Sequence, residues 1–324
     1  MSQTPPISGI ADPDRAAPEL SYPNLSPQLL ARVTQLWSAA GADFDHHWRA
    51  GVRSLPGFRA VPRAETPKDS TDVDLVFLFD QCILWVRALH EAATAGRVHE
   101  IPGLSPAQWH GRAALSARLT EQLAALRLLA LADLPMPAMQ IARSISEDVD
   151  MALMLLIRRK LAQRFADCRT VEDASDFWRR HIAGGRAFRS ISEKLYAVGI
   201  DHTADTDYAK WRRSVLMTLG AAAHSNALHT RLPTRQQSDV LLNGDSLQFA
   251  TFRIHEFCAF AQLLEPTLTE TLELAGRAAT SDAPHSPHQT LAALAAPLNR
   301  ILISQIQSLE APEPQSRQRA DWYR

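Results

Sequence analysis

Apolar residues recur along this chain at steps of three and four, and no stretch alternates with period two over the length of a strand. Leu115, Leu119, Leu123, Leu126 and Leu129 follow one helical line, and Leu128, Leu131 and Leu134 widen it. A stripe that broad needs several neighbours to cover it. A second stripe runs through Met139, Ala142, Ile145, Val149, Ala152, Leu153, Leu156 and Ile157, and opens the stretch 136–190 around which the rest is organised. Pro135 and Pro137 suit its first turn. The pattern predicts one long helix up to about Cys168, a second from Thr170, and a stop at Gly184-Gly185 before a basic third segment. Only glycine takes the left-handed conformation of such a stop at low cost.

Start signals repeat elsewhere. Ser26-Pro27, Ser105-Pro106 with Gln108, and Ser286-Pro287 with Gln289 each place a hydroxyl cap before a first-turn proline. Thr170 followed by Asp173 is a capping box of the same kind. Helices are expected at about 72–95 and 106–133, at Asp207 to Ala223, Thr234 to Leu242, Leu247 to Leu274 and Thr290 to Leu309. Gly276 to His285 reads as loop, and Pro297 kinks or splits the last helix. The expected fold is therefore all-α, an irregular multi-helix bundle. Residues 1–24 carry five prolines and read as a flexible leader, and 25–68 as an N-terminal helical segment and linker. Residues 69–310 form the main helical domain, and 311–324 a short loose tail.

Composition narrows the classes. The chain is 46% apolar with a net charge of −1, so no global attraction to nucleic acid or anionic membrane is expected. The charge is uneven: residues 127–235 hold 17 Lys and Arg against 12 Asp and Glu, a net of +5. Cys82, Cys168 and Cys258 are scattered without a CxxC, which suits a reduced, cytoplasmic protein. No basic and apolar signal segment is expected at the N-terminus. Val73 to Leu89 is interrupted by Asp74, Asp80, Gln81 and Arg87, so it reads as a central core helix rather than a membrane span.

The candidate chemistry is sparse. Among 12 histidines there is no HExxH and no pair four apart on an expected helix, so neither metal nor cofactor is expected. Asp45-His46-His47 after Asp43 resembles the DHH phosphoesterase motif, but that family's sheet and further aspartates are missing, and a helix turn is the better reading. No GxSxG and no glycine-rich phosphate loop after a strand occurs. Arg143 and Glu147, four apart, stack on one helix face. Either they form a solvated pair worth about 0.3–0.5 kcal/mol, or they belong to an interior polar site. Gly184-Gly185-Arg186, with Arg179, Arg180, His181 and Arg189 close in sequence, is either an anion-binding turn or a helix connection with solvated arginines.

Arginine and histidine near helix ends invite comparison with the HEPN nucleases, but no histidine here has an arginine five to seven positions upstream. A second resemblance covers roughly residues 113–228. Arg143-x-x-x-Glu147, Arg164-Phe165, and Gly220-x-x-x-His224 followed by Ser225-Asn226 resemble the motifs of a large, poorly characterised bacterial family of helical domains. The resemblance implies a helical fold and no established activity. Its members often occur in mobile-element or defence settings.

The leading expectation is a helical interaction or regulatory protein, in a bacterial stress or phage-defence setting, whose partner is another protein or a second copy of the chain. Trp37, Trp48, Trp109, Trp178 and Trp211 are the expected anchors. The alternative is a hydrolytic or nucleotide- or RNA-handling enzyme with Arg143, Glu147, His181, Arg186 and His224 in one site. There Glu147 or His224 would carry the proton, and Arg143, Arg179, Arg180, His181, Arg186 and Arg189 would hold an anion. Nucleic acid is a further candidate ligand through residues 127–235, and no membrane contact is expected.

Overall fold

Local chemistry starts the helices where the sequence says it should. At Ser105 the side chain accepts the Gln108 N–H at 3.4 Å, and the Gln108 side chain accepts the Ser105 N–H at 3.0 Å. Thr170 and Asp173 form the same reciprocal pair, while the Ser26 side chain accepts the Leu29 N–H and its own N–H donates to Asp74 Oδ1 at 2.8 Å. The computed structural model describes residues 21–53, 55–56, 58, 70–203, 205–223, 243–282 and 287–310, and among them no strand occurs. The helices are α1 (Pro27–Ala39), α2 (Phe44–Arg53), α3 (Ser70–Val98), α4 (Pro106–Leu131), α5 (Pro135–Ile157) and α6 (Arg159–Ala166). They continue with α7 (Val171–His181), α8 (Arg186–Ala197), α9 (Asp207–Ala223), α10 (Asn243–Leu264), α11 (Leu268–Asp282) and α12 (Pro287–Glu310). The fold is all-α.

The centre is α3. Ile83, Leu84, Trp85, Val86, Ala88 and Leu89 are all buried, so the middle of the helix is covered on nearly every side, as in a helix enclosed by others. Helices α4, α10, α11 and α12 enclose it. No helix among the described residues is long and apolar enough to cross a membrane. Trp37 of α1 and Phe44 and Trp48 of α2 close over Phe77 of α3, so the N-terminal helices share this core. The expected leader is too long at its inner end. Tyr22 is fully buried, and its hydroxyl donates to Asp80 Oδ2 at 2.6 Å. Residues 1–20, most of the 55–68 linker, the expected helix at 234–242 and the tail 311–324 lie outside the described residues.

Two long helices expected from the pattern are broken. The first stops at Arg158, where φ is −131° and ψ 87°, and resumes as α6. The Leu156 carbonyl released by the break accepts the Gln108 side-chain amide at 2.5 Å, and the Arg158 guanidinium donates to Ser190 of α8. Tertiary partners have replaced a turn of local hydrogen bonds. The second break falls at Glu265-Pro266-Thr267, a proline that the apolar periodicity overrides on paper and the backbone obeys.

Beyond it, α11 runs through Gly276 to Asp282, where a loop is expected from sequence. A Cβ at Gly276 would lie 2.9 Å from the Ala292 carbonyl oxygen and from Ala293 Cα, so this glycine lets α11 press directly on the α12 backbone. Helix α12 continues past Pro297 without splitting.

Candidate functional site

The described members of the expected enzyme site fall into two groups. Arg143 and Glu147 pair on α5, with Nε 3.2 Å from Oε1 and side chains 34% and 36% exposed. Arg143 Nη1 also donates to the Leu216 carbonyl of α9 at 3.3 Å. A side chain at Gly220 would displace that guanidinium, because its Cβ would come within 2.0 Å of Nη1. Gln140 donates to the Ala222 carbonyl at 2.8 Å, so this end of α5 lies along the last turns of α9. His224, Ser225 and Asn226 lie outside the described residues. The pair is neither fully solvated nor interior. Glu147→Ala is expected to shift the urea midpoint by less than about 1 kcal/mol equivalent, since water screens both partners. A loss of several kcal/mol would mean that the pair is sealed off on binding α9.

His181 and the arginines form the other group. About fifteen residues of helix separate Arg143 from Arg158, roughly 22 Å at 1.5 Å per residue. At that far end His181 packs on Phe177, with ring centroids 5.1 Å apart. Burial pushes the imidazole below its usual pKa, and Arg164, Arg180 and Arg158 push it the same way. Gly184 and Gly185 have φ of 65° and 74°, the left-handed turn that the sequence calls for. Arg186 Nη1 donates to the carbonyls of Arg179 at 2.5 Å and Ala183 at 3.2 Å, so it caps the end of α7. Arg179 and Arg180 share Asp176, and Arg189 is exposed. The basic residues therefore fan over an outer surface instead of lining the bundle interior.

The expected anchors divide as well. Trp37, Trp48 and Trp109 are core residues, while Trp178 and Trp211 are each 41% exposed. His46 is an exposed helix-turn residue, and His47 bonds the Asp43 carbonyl through Nδ1 at 2.8 Å. Among the described residues no group of His, Cys, Asp and Glu could hold a metal ion. Burial pushes the Cys82 and Cys258 thiols well up, so neither is a ready nucleophile.

Two buried ionic networks escaped the sequence reading. In one, Asp150 of α5 holds Arg253 of α10 at 2.7 Å and also accepts from Arg212 of α9. Arg253 and the Tyr208 hydroxyl both donate to Glu256. Burial raises the pKa of Tyr208 and of Glu256. Shifted groups gather at active sites, but two arginines here balance two carboxylates and each carboxylate is engaged, so the network ties three helices together. In the other, Asp80 takes Arg127 Nε at 2.7 Å and Nη2 at 3.0 Å together with the Tyr22 hydroxyl. The single charge at Asp80 inside an apolar run was the available signal for the second network; Asp150, next to Glu147 and Asp148, gave none.

No protein-family model, curated protein or solved structure matches this chain.

Proposed function

We propose that the chain is an interaction protein that takes an acidic protein partner on the lobe formed by α6, α7 and α8. One observation carries the reading: cations and aromatic groups stand exposed together, mostly without counter-ions. Residues 158–197 hold 10 Lys and Arg against 5 Asp and Glu. Only Arg179 and Arg180 of these form ion pairs among the described residues. Val171 and Trp178 share the outer face of α7, seven residues apart, at 78% and 41% exposure, and Tyr196 of α8 is 62% exposed. Helix α7 packs on α6 and α8 and buries Phe177, which leaves most of its surface to a partner. Arginine, tryptophan and tyrosine are the residues on which protein interfaces concentrate binding energy. The three free cysteines support a cytoplasmic setting, and we extend the proposal to a bacterial stress or defence role on the resemblance over residues 113–228 alone.

The test is a titration of the full chain with an acidic Glu/Asp-rich peptide and with single-stranded RNA and DNA, at two salt concentrations. The peptide is expected to quench Trp178 and to bind at least about tenfold more weakly to Arg164→Glu/Arg180→Glu. Binding should also tighten from pH 7 to pH 6. Burial, and after it the neighbouring arginines, hold the His181 pKa below its usual value, and a bound anion raises it, so binding takes up a proton. Preference for RNA or DNA, with a steep salt dependence, would move the lobe to nucleic acid. No binding of any probe would remove the reading.

A further inference from the structure

Among the described residues four arginines are buried in the core: Arg112, Arg127, Arg212 and Arg253. Three of them meet carboxylates: Arg127 on Asp80, Arg212 on Asp150, and Arg253 on Asp150 and Glu256. Arg112 of α4 does not. It is 6% exposed, and among the described residues its guanidinium makes neither a hydrogen bond nor an ion pair. Its Nη1 is sealed from solvent, and the Phe257 ring of α10 lies 5.9 Å from Cζ to centroid.

The Glu265 carboxylate acts on Arg112 at longer range and partly offsets its burial, but no ion pair forms between them. Glu265, on the turn after α10, accepts the Thr267 hydroxyl at 2.9 Å. Burial keeps the Cys258 thiol protonated, and its Sγ donates to Asn299 Oδ1 at 3.0 Å. Burial lowers the Arg112 pKa to about 10, so the side chain still carries its charge at neutral pH. A second unsatisfied donor lies against the same phenyl ring: Trp85 packs on Phe257 at 5.4 Å, and its Nε1 is buried without a partner. The surroundings of Phe257 thus hold two donors in want of acceptors, whereas Arg127, Arg212 and Arg253 each have a carboxylate in ion-pair contact. A buried guanidinium with no carboxylate in ion-pair contact is costly, and its fork of N–H groups matches an oxygen acid.

We propose that Arg112 anchors a binding site for a small oxyanion, a carboxylate or a phosphate, between α4 and α10 beside the Glu265–Thr267 turn. The site is independent of the cationic lobe.

Thermal melting of the full chain in Tris-chloride, at constant ionic strength, tests it with inorganic phosphate and with acetate as probes. The wild-type midpoint is expected to rise with the logarithm of one probe's concentration, which also tells phosphate from carboxylate. Arg112→Met should lose that rise and should melt no lower than wild type in the probe-free buffer, because an apolar chain of similar length removes a buried charge that makes no ion pair. Glu265→Gln should keep the rise and move it to lower probe concentration. The lobe variant Arg164→Glu/Arg180→Glu should keep it unchanged, which separates this site from the lobe. A wild-type midpoint indifferent to both probes, or an equal rise in Arg112→Met, overturns the proposal. So does an Arg112→Met protein that melts well below wild type in probe-free buffer, since Arg112 would then have its counter-ion within the fold.

Discussion

Asp80→Ala is expected to cost about 3–5 kcal/mol of folding stability, because it strands the Arg127 guanidinium in the core. Asp80 is fully buried and grips Arg127 through both carboxylate oxygens, at 2.7 and 3.0 Å, while also accepting the Tyr22 hydroxyl at 2.6 Å. Arg127 has the Phe58 ring 4.8 Å from Cζ as its other neighbour, which cannot replace a counter-ion. The paired replacement Asp80→Leu/Arg127→Met should recover most of the loss, since it removes both charges. Urea denaturation of the single and double variants provides the measurement. Equal midpoints for Asp80→Ala and wild type would show that Arg127 finds water in the folded protein. Tyr22→Phe gives a milder check, of about 1 kcal/mol, on whether residue 22 belongs to the core.

Asp150→Ala should be at least as damaging, at about 3–5 kcal/mol, because one carboxylate serves two buried arginines. Arg212 loses its carboxylate partner, whereas Arg253 keeps Glu256. Arg212 also stacks on Phe188, 3.9 Å from Cζ to centroid, so its movement would loosen α8 where that helix meets α9. Denaturant unfolding followed by near-ultraviolet circular dichroism should show a lower midpoint, with Tyr208 and Trp211 reporting the change. If stability holds, the network does not tie α5, α9 and α10 together, and its shifted Tyr208 and Glu256 regain interest as reactive groups. The contrast with the lobe is direct. Arg164→Glu/Arg180→Glu changes an exposed surface and should leave the unfolding midpoint nearly in place while weakening partner binding.

The resemblance to a bacterial helical family and the candidate site rested on short local patterns, and these differ in what they could reveal. The Arg143–Glu147 pair is visible in sequence because four residues make one helical turn. The distance from that pair to His181 is not, since it depends on where α5 ends and how α6 and α7 fold back. The anchors show the same limit. Trp109 and Trp178 look alike in the chain. One is buried with its Nε1 donating to the Ile101 carbonyl at 3.0 Å, and the other stands out on α7.

What the sequence determined by itself were features whose physics closes within a few residues. Helical class follows from three-and-four periodicity, helix starts at Ser26, Ser105 and Thr170 from caps that reach three residues ahead, and the Gly184-Gly185 turn from a backbone angle that other residues avoid. The tertiary structure alone decided the rest. It broke the long helix at Arg158, where Gln108 and Ser190 supply partners from 48 and 32 residues away. It carried α11 through Gly276, where the α12 backbone leaves no room for a Cβ. It paired Asp150 with Arg212 and Arg253 across 62 and 103 residues, and left Arg112 without such a pair. Burial and charge pairing depend on which surfaces meet, and no local pattern encodes that.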